Sequence, residues 1–121
     1  MNIPARLIIM VKHFEGFHRV VRKQEPVTAV PYLCPAGYWT IGYGVLCDRG
    51  HPPITLTEGE AMLARIMPAY VAHAVRLSPR LATAPEDHLS AIADFIFNLG
   101  PTRYAGSTLR RVYNAGDLVV S

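Results

Sequence analysis

Charge is scarce in this chain. Only 17% of its 121 residues are Asp, Glu, Lys or Arg, while half are apolar. That balance builds a core and excludes disorder. Lysine is nearly missing: Lys12 and Lys23 are two of twelve basic residues, and the rest are arginines. The net charge of +3 and pI near 9.1 suit an anionic partner without choosing among nucleic acid, membrane surface and cell-wall polymer. No run of five Lys or Arg occurs, so a nucleic-acid footprint is not expected. Long apolar runs are also missing. Leu7-Ile8-Ile9-Met10-Val11 falls far short of the roughly 20 residues of a membrane helix, so stable membrane insertion is not expected. No charged, apolar and cleavage-site series opens the chain, which argues against a classical signal peptide. Cysteine is limited to Cys34 and Cys47, too few for a disulfide framework, although one bridge stays open. No Cys-x-x-Cys or His-x3-His spacing accompanies them, so a metal held by Cys34, Cys47, Asp48 and His51 is not expected. There is no internal repeat. A mass of 13.4 kDa allows one compact domain over residues 1–121.

What is present reads as a helix, a small sheet, then several helices. Ile3, Leu7, Met10, Val11 and Phe14 recur at helical spacing. Asn2 is placed to cap that helix, Pro4 suits its first turn, and Gly16 suits its end. Glu15 therefore sits at a helix C-terminus, where the negative end of the dipole raises a carboxyl pKa, as a general acid requires. Phe17 to Pro31 reads as a loop with some extended character. Tyr32 to Leu46, rich in Tyr, Trp, Ile, Thr and Val and punctuated by Gly37, Gly42 and Gly44, reads as a small antiparallel sheet. Cys47 to Leu56 reads as a loop. Thr57-Glu58-Gly59-Glu60 has the form of a capping box. The helix after it is expected to break or kink at Pro68 and to resume from Tyr70 to Leu77. Pro85-Glu86-Asp87 opens another helix, with Leu89, Ile92, Ala93, Ile96 and Leu99 on its buried face and Gly100-Pro101 at its end. Ser107 caps a last helix from Thr108 to Asn114, closed by Ala115-Gly116. The fold class is α+β: a small antiparallel β-hairpin lobe beside a helical lobe, with a cleft between them as the expected active site.

The chemistry concentrates in Glu15-Gly16-Phe17 and in Tyr32-Leu33-Cys34-Pro35-Ala36-Gly37-Tyr38-Trp39-Thr40-Ile41-Gly42-Tyr43-Gly44. This pattern resembles the phage-type lysozymes, or endolysins, of glycoside hydrolase family 24. In that family a helix ends in Glu-Gly and a hairpin reads Tyr-x-(Asp or Cys)-x-x-Gly-x-x-Thr-Ile-Gly-x-Gly. Phe97-Asn98-Leu99-Gly100 and Gly106-Ser107-Thr108-Leu109 resemble the family's second signature. The resemblance covers about Pro4 to Gly116.

The resemblance implies a lysozyme-like fold and hydrolysis of the β-1,4 bond between N-acetylmuramic acid and N-acetylglucosamine in peptidoglycan. It implies Glu15 as the acid, Cys34 at the position of the second catalytic residue and Thr40 as the group that places the attacking water. Tyr32, Leu46, Phe97 and Thr108 are implied as substrate-binding residues. Neither cofactor nor metal is implied. The implied biology is phage or prophage lysis, with the protein held in the host cytoplasm until a holin releases it. Three departures stand out. Cys34 is a thiol where the best-known members have Asp, and a neutral thiol is a poor electrostatic partner for an oxocarbenium-like transition state. The Glu15–Cys34 spacing is longer than expected, with the extra length in His18 to Pro31 as an enlarged loop offering Arg19, Arg22 and Lys23 to an anionic polymer. The family usually continues beyond Ser121 with further helices; their loss would leave a monomer open to self-association through an exposed helical face. An alternative reading is a wall-binding remnant without catalysis. A thiol hydrolase using Cys34 is a third, for which no His is placed by the sequence.

Overall fold

A computed structural model of the chain describes residues 3–17 and 19–116. Asn2, the expected N-cap, lies outside them, as do His18 and the side chain of Phe14. The described chain is α+β, with two three-stranded antiparallel sheets among its helices. It divides into two compact units. One is residues 11–65; the other combines residues 1–10 with 66–121. The divisions fall inside helices α1 (Ala5–Glu15) and α2 (Leu56–Leu77).

Helix α1 ends where glycine allows it. Gly16 takes φ +70 and its N–H donates to Lys12 O at 3.0 Å. Leu7 and Val11, on the predicted stripe, are fully buried. The stretch expected as a loop folds into strands β1 (Val20–Arg22) and β2 (Thr28–Ala29). Together with β6 (Ile54–Thr55) they form a sheet in the order β1-β2-β6. Val20 pairs with Ala29 and Arg22 with Thr28, so Val21 is an extra, exposed residue in a bulge. Strands of two or three residues are too short to display a period of two, which hid them in the sequence. The second sheet is the predicted one, of β3 (Tyr32–Leu33), β4 (Trp39–Ile41) and β5 (Val45–Leu46). Ala29, Ile41, Ile54 and Leu63 are among the deeply buried side chains of this unit, beside Val11.

Helix α2 begins at Leu56, earlier than the Thr57 capping box predicts. The cap is Thr55: Glu58 N–H donates to Thr55 Oγ1 at 3.2 Å, and Thr55 N–H donates to Glu58 Oε1 at 2.8 Å. Both Thr55-x-x-Glu58 and Thr57-x-x-Glu60 fit the motif. The pairing of β6 with β2 holds Thr55 extended, as an N-cap must be, and Glu60 instead bonds Lys12. Thr55→Ala is expected to cost about 1 kcal/mol, against little change for Thr57→Ala, in parallel urea unfolding curves. The same contacts hold the Glu58 carboxyl below its ordinary pKa. Its stabilising effect is therefore present above the ordinary carboxylate range and lost as pH falls through the lowered value.

Nor does Pro68 break α2. The helix runs through it unbroken for 22 residues. Pro68 is exposed, while Leu63 before it and Met67, Val71 and Ala74 around and after it are buried. Packing on the buried face outweighs the hydrogen bond that proline removes. A 3-10 turn, Pro79–Ala82, leads to α3 (Glu86–Leu99). Leu89, Ile92, Ala93 and Ile96 are buried as predicted, but Leu99 is 46% exposed. Periodicity fixes the azimuth of a stripe, not how far along the axis packing extends. Gly100, at φ +90, opens a short helix α4 (Pro101–Ala105) that the sequence did not reveal. Helix α5 (Thr108–Asn114) starts as predicted, with Arg110 N–H donating to Ser107 Oγ at 3.0 Å. No described helix is long and apolar enough to cross a membrane.

Candidate active site

Five of the expected site residues belong to the unit of residues 11–65: Glu15, Tyr32, Cys34, Thr40 and Leu46. Antiparallel pairing puts Tyr32 opposite Thr40 and Thr40 opposite Leu46. These three therefore share one face across β3, β4 and β5, and Cys34, two residues beyond Tyr32, continues it.

Cys34 starts a tight connection. Gly37 N–H donates to Cys34 O at 2.9 Å, Cys34 N–H donates to Tyr38 O at 3.0 Å, and Gly37 takes φ +88. This is a three-residue hairpin loop that needs glycine at its left-handed position. The turn aims donors at the sulfur. The Tyr38 N–H, then those of Ala36 and Gly37, hold the thiol pKa below its ordinary value, against an opposing push from partial burial. Cys34 is thus set in a small nest of N–H groups that favours an anion. Thr40 is 3% exposed. Its hydroxyl donates to Tyr38 O at 3.0 Å, which leaves lone pairs free to accept.

Glu15 ends α1 and is half-buried. Its carboxylate lies against Gly44 in the β4–β5 turn, where an added Cβ would stand 3.0 Å from Oε2 and 3.2 Å from Cδ. The Tyr32 phenol reports the same neighbourhood. Burial pushes its pKa up, and the nearby Glu15 and Cys34 add to the rise while Arg19 opposes it. Arg19 stands at φ +57, unusual for a residue with a side chain, and its carbonyl accepts the Val30 N–H at 3.3 Å.

Phe17 anchors the exit of α1. Its ring lies 5.2 Å from that of Tyr43, and a Cβ on Gly59 would come within 2.8 Å of its Cε1. Lys12 bonds Glu60 at 2.7 Å and sits 5.6 Å from the Tyr43 ring centre. The sequence marks Gly44 as a turn glycine, and nothing in it shows the carboxylate beside it.

Leu46 is 66% exposed. Beside it an open groove of ≈ 450 Å³ is lined by Leu46, Cys47, Asp48, His51 and Met62. Among the described residues no group of three or more His, Cys, Asp or Glu side chains could hold a metal ion. Both thiols are free. Cys34 faces Tyr38 on one side of β4, and Cys47 N–H donates to Trp39 O on the other. Two strand spacings, roughly 9–10 Å, separate them, beyond the ~7 Å limit for a disulfide.

Phe97 and Thr108 belong to the other unit. Phe97 lies on α3 with its ring edge-on to Tyr70 at 5.2 Å. Thr108 is the exposed first residue of α5.

The phage lysozyme family model matches residues 22–120, which include Tyr32, Cys34, Thr40, Leu46, Phe97 and Thr108; Glu15 lies ahead of the matched segment. An endolysin of Acyrthosiphon pisum secondary endosymbiont phage 1 is 28% identical, over 97% of this chain and 73% of that protein. Among solved structures, an endolysin from Escherichia coli O157:H7 phage FAHEc1 aligns with a TM-score of 0.71 at 25% identity. It covers 97% of this chain and 70% of that one. The muramidase domain of SpmX from Asticaccaulis excentricus shares the fold, with a TM-score of 0.75 at 24% identity over 96% of this chain and 71% of that one. With a family match over most of its length and a lysozyme-like fold, this chain belongs to the phage lysozyme family, glycosidases of the lysozyme type that degrade peptidoglycan.

Proposed function

We propose that the chain is a muramidase that cleaves the β-1,4 bond between N-acetylmuramic acid and N-acetylglucosamine. The observation that carries this reading is the Glu15 carboxylate against the β4–β5 turn at Gly44, beside the sheet that bears Tyr32, Cys34 and Thr40 on one face. Glycoside hydrolysis needs an acid for the leaving oxygen and a group that handles water or charge on the other side of the sugar. Glu15 supplies the proton. Thr40 accepts a hydrogen bond from the attacking water while its own proton stays on Tyr38 O. Cys34 stands where its nest of donors favours negative charge. Tyr32 and Leu46 bind sugar on the sheet, and Phe97 and Thr108 are proposed as sugar contacts of their own unit. The chain is proposed to act as one lysozyme domain, as a monomer, on walls reached after release from the host cytoplasm. Purified protein should release reducing ends from isolated cell walls. Binding without such release at every pH tried would sink the proposal.

The thiol at Cys34 favours a second reading, a wall-binding protein with little or no turnover. Cys34→Asp separates the two. The N–H groups at Ala36, Gly37 and Tyr38 would hold a carboxylate as they hold the sulfur. Its permanent charge should raise cleavage on the order of tenfold, modest beside the 10²–10⁴-fold of a complete acid or base. No gain, from a variant that stays folded and bound to walls, favours the second reading.

A further inference from the structure

We propose that Gly44 is a positioning residue for Glu15, one whose missing side chain makes the seat on which the carboxylate rests. The inference builds on the reading of Glu15 as the acid. Among the described residues six glycines take positive φ: Gly16, Gly37, Gly42, Gly44, Gly100 and Gly116. Backbone conformation alone accounts for Gly16, Gly37 and Gly100, since nothing lies within 4 Å of a Cβ built there. Gly42 would meet the hydrocarbon of Ile54 and Phe17, and Gly116 the guanidinium of Arg80. Gly44 alone among them would meet a carboxylate, with Oε2 at 3.0 Å, Cδ at 3.2 Å and Cγ at 3.6 Å. The whole end of the Glu15 side chain therefore lies along the Gly44 backbone.

The backbone on both sides of this contact is anchored, so the Glu15 side chain is the part that must give. Two residues after Glu15, the Phe17 ring is held between Gly59, Gly42 and Tyr43, which ties the exit of α1 to the same β4–β5 turn that carries Gly44. A methyl group at position 44 would have to be relieved by rotating the Glu15 side chain. The relief needed is a few tenths of an ångström; where about 1 Å of misplacement costs on the order of a hundredfold in rate, a shift of this size costs about severalfold.

The experiment compares the parent with Gly44→Ala, Gly44→Asn and Gly100→Ala. Asn tolerates left-handed backbone and so adds the Cβ with less strain. Gly100→Ala adds a Cβ at another positive-φ glycine, φ +90 against +85, with open space around it. The first readout is the ¹³C titration of the Glu15 carboxyl, assigned by its loss in Glu15→Gln. Both position-44 variants should move its midpoint by more than about half a unit, because the carboxyl changes its solvation and partners, and Gly100→Ala should leave it in place. The second readout is cleavage of isolated walls. Gly44→Ala should lose about fivefold in kcat with KM within about twofold. Combining it with Glu15→Asp, whose carboxyl is one methylene shorter, should lose less than the product of the single losses. Folded position-44 variants whose Glu15 titration superimposes on the parent's would overturn the proposal and leave Gly44 a turn glycine. A parent that releases no reducing ends defeats the muramidase reading, while the titration still decides the role of Gly44.

Discussion

Replacing Glu15 by Gln is expected to cut wall cleavage by about 10²–10⁴-fold, the usual contribution of a positioned general acid. Gln has nearly the shape of Glu, so it keeps the packing against Gly44 and leaves α1 and the β4–β5 turn in place. What it lacks is an ionisable proton. Protonation of the leaving oxygen is the step that depends on one, and no other carboxyl stands at the end of α1 to replace it. The assay is the loss of turbidity of isolated walls, run beside circular dichroism. Clearing by the parent alone establishes Glu15 as the acid despite the thiol at position 34. Equal clearing by both proteins removes Glu15 from the chemistry. If both are folded and neither clears, the wall-binding reading takes its place.

Tyr104→Ala should be the most damaging of the packing changes, at about 3–5 kcal/mol. Tyr104 is fully buried in α4, its ring lies 5.7 Å from that of Phe95, and its hydroxyl shares a 2.7 Å hydrogen bond with the equally buried Ser78. Truncation leaves a large cavity and strands the Ser78 hydroxyl away from water. Domains of this kind hold only about 5–15 kcal/mol of net stability, so the variant should be close to unfolding at growth temperature. Tyr104→Phe isolates the polar part. It keeps the ring, orphans Ser78, and should cost about 1–3 kcal/mol. Adding Ser78→Ala to Tyr104→Phe should recover part of that loss, because both polar partners are then gone. Urea unfolding followed by near-ultraviolet dichroism reads all four proteins. A Tyr104→Ala midpoint close to the parent's would mean that the 66–116 segment packs differently from the arrangement described.

The site was legible in part. Glu15 could be singled out because glycine follows it at the end of an apolar helical stripe, and α1 does stop at Gly16. Cys34 and Thr40 were singled out by the resemblance of their hairpin to the family's, and the hairpin is observed, with Tyr32 opposite Thr40. The role of Gly44 was not legible. A glycine in a turn looks the same in sequence whether its empty side faces solvent, as at Gly37, or a carboxylate, as at Gly44.

The division between sequence and structure follows the range of the forces involved. By itself the sequence determined α1 with its glycine stop, the β3–β5 sheet, the buried stripe of α3 and the Ser107 cap, all set by contacts within about four residues or one tight turn. Tertiary structure alone decided the rest. Strands β1 and β2 exist because β2 pairs with β6 far along the chain. The same pairing chose Thr55 over Thr57 as the cap of α2, burial on one face carried that helix through Pro68, and the axial limit of packing left Leu99 exposed. Each of these outcomes depends on a partner that local propensity cannot see, and hydrophobic burial and strand pairing are strong enough to override a preference worth a few tenths to a few kcal/mol.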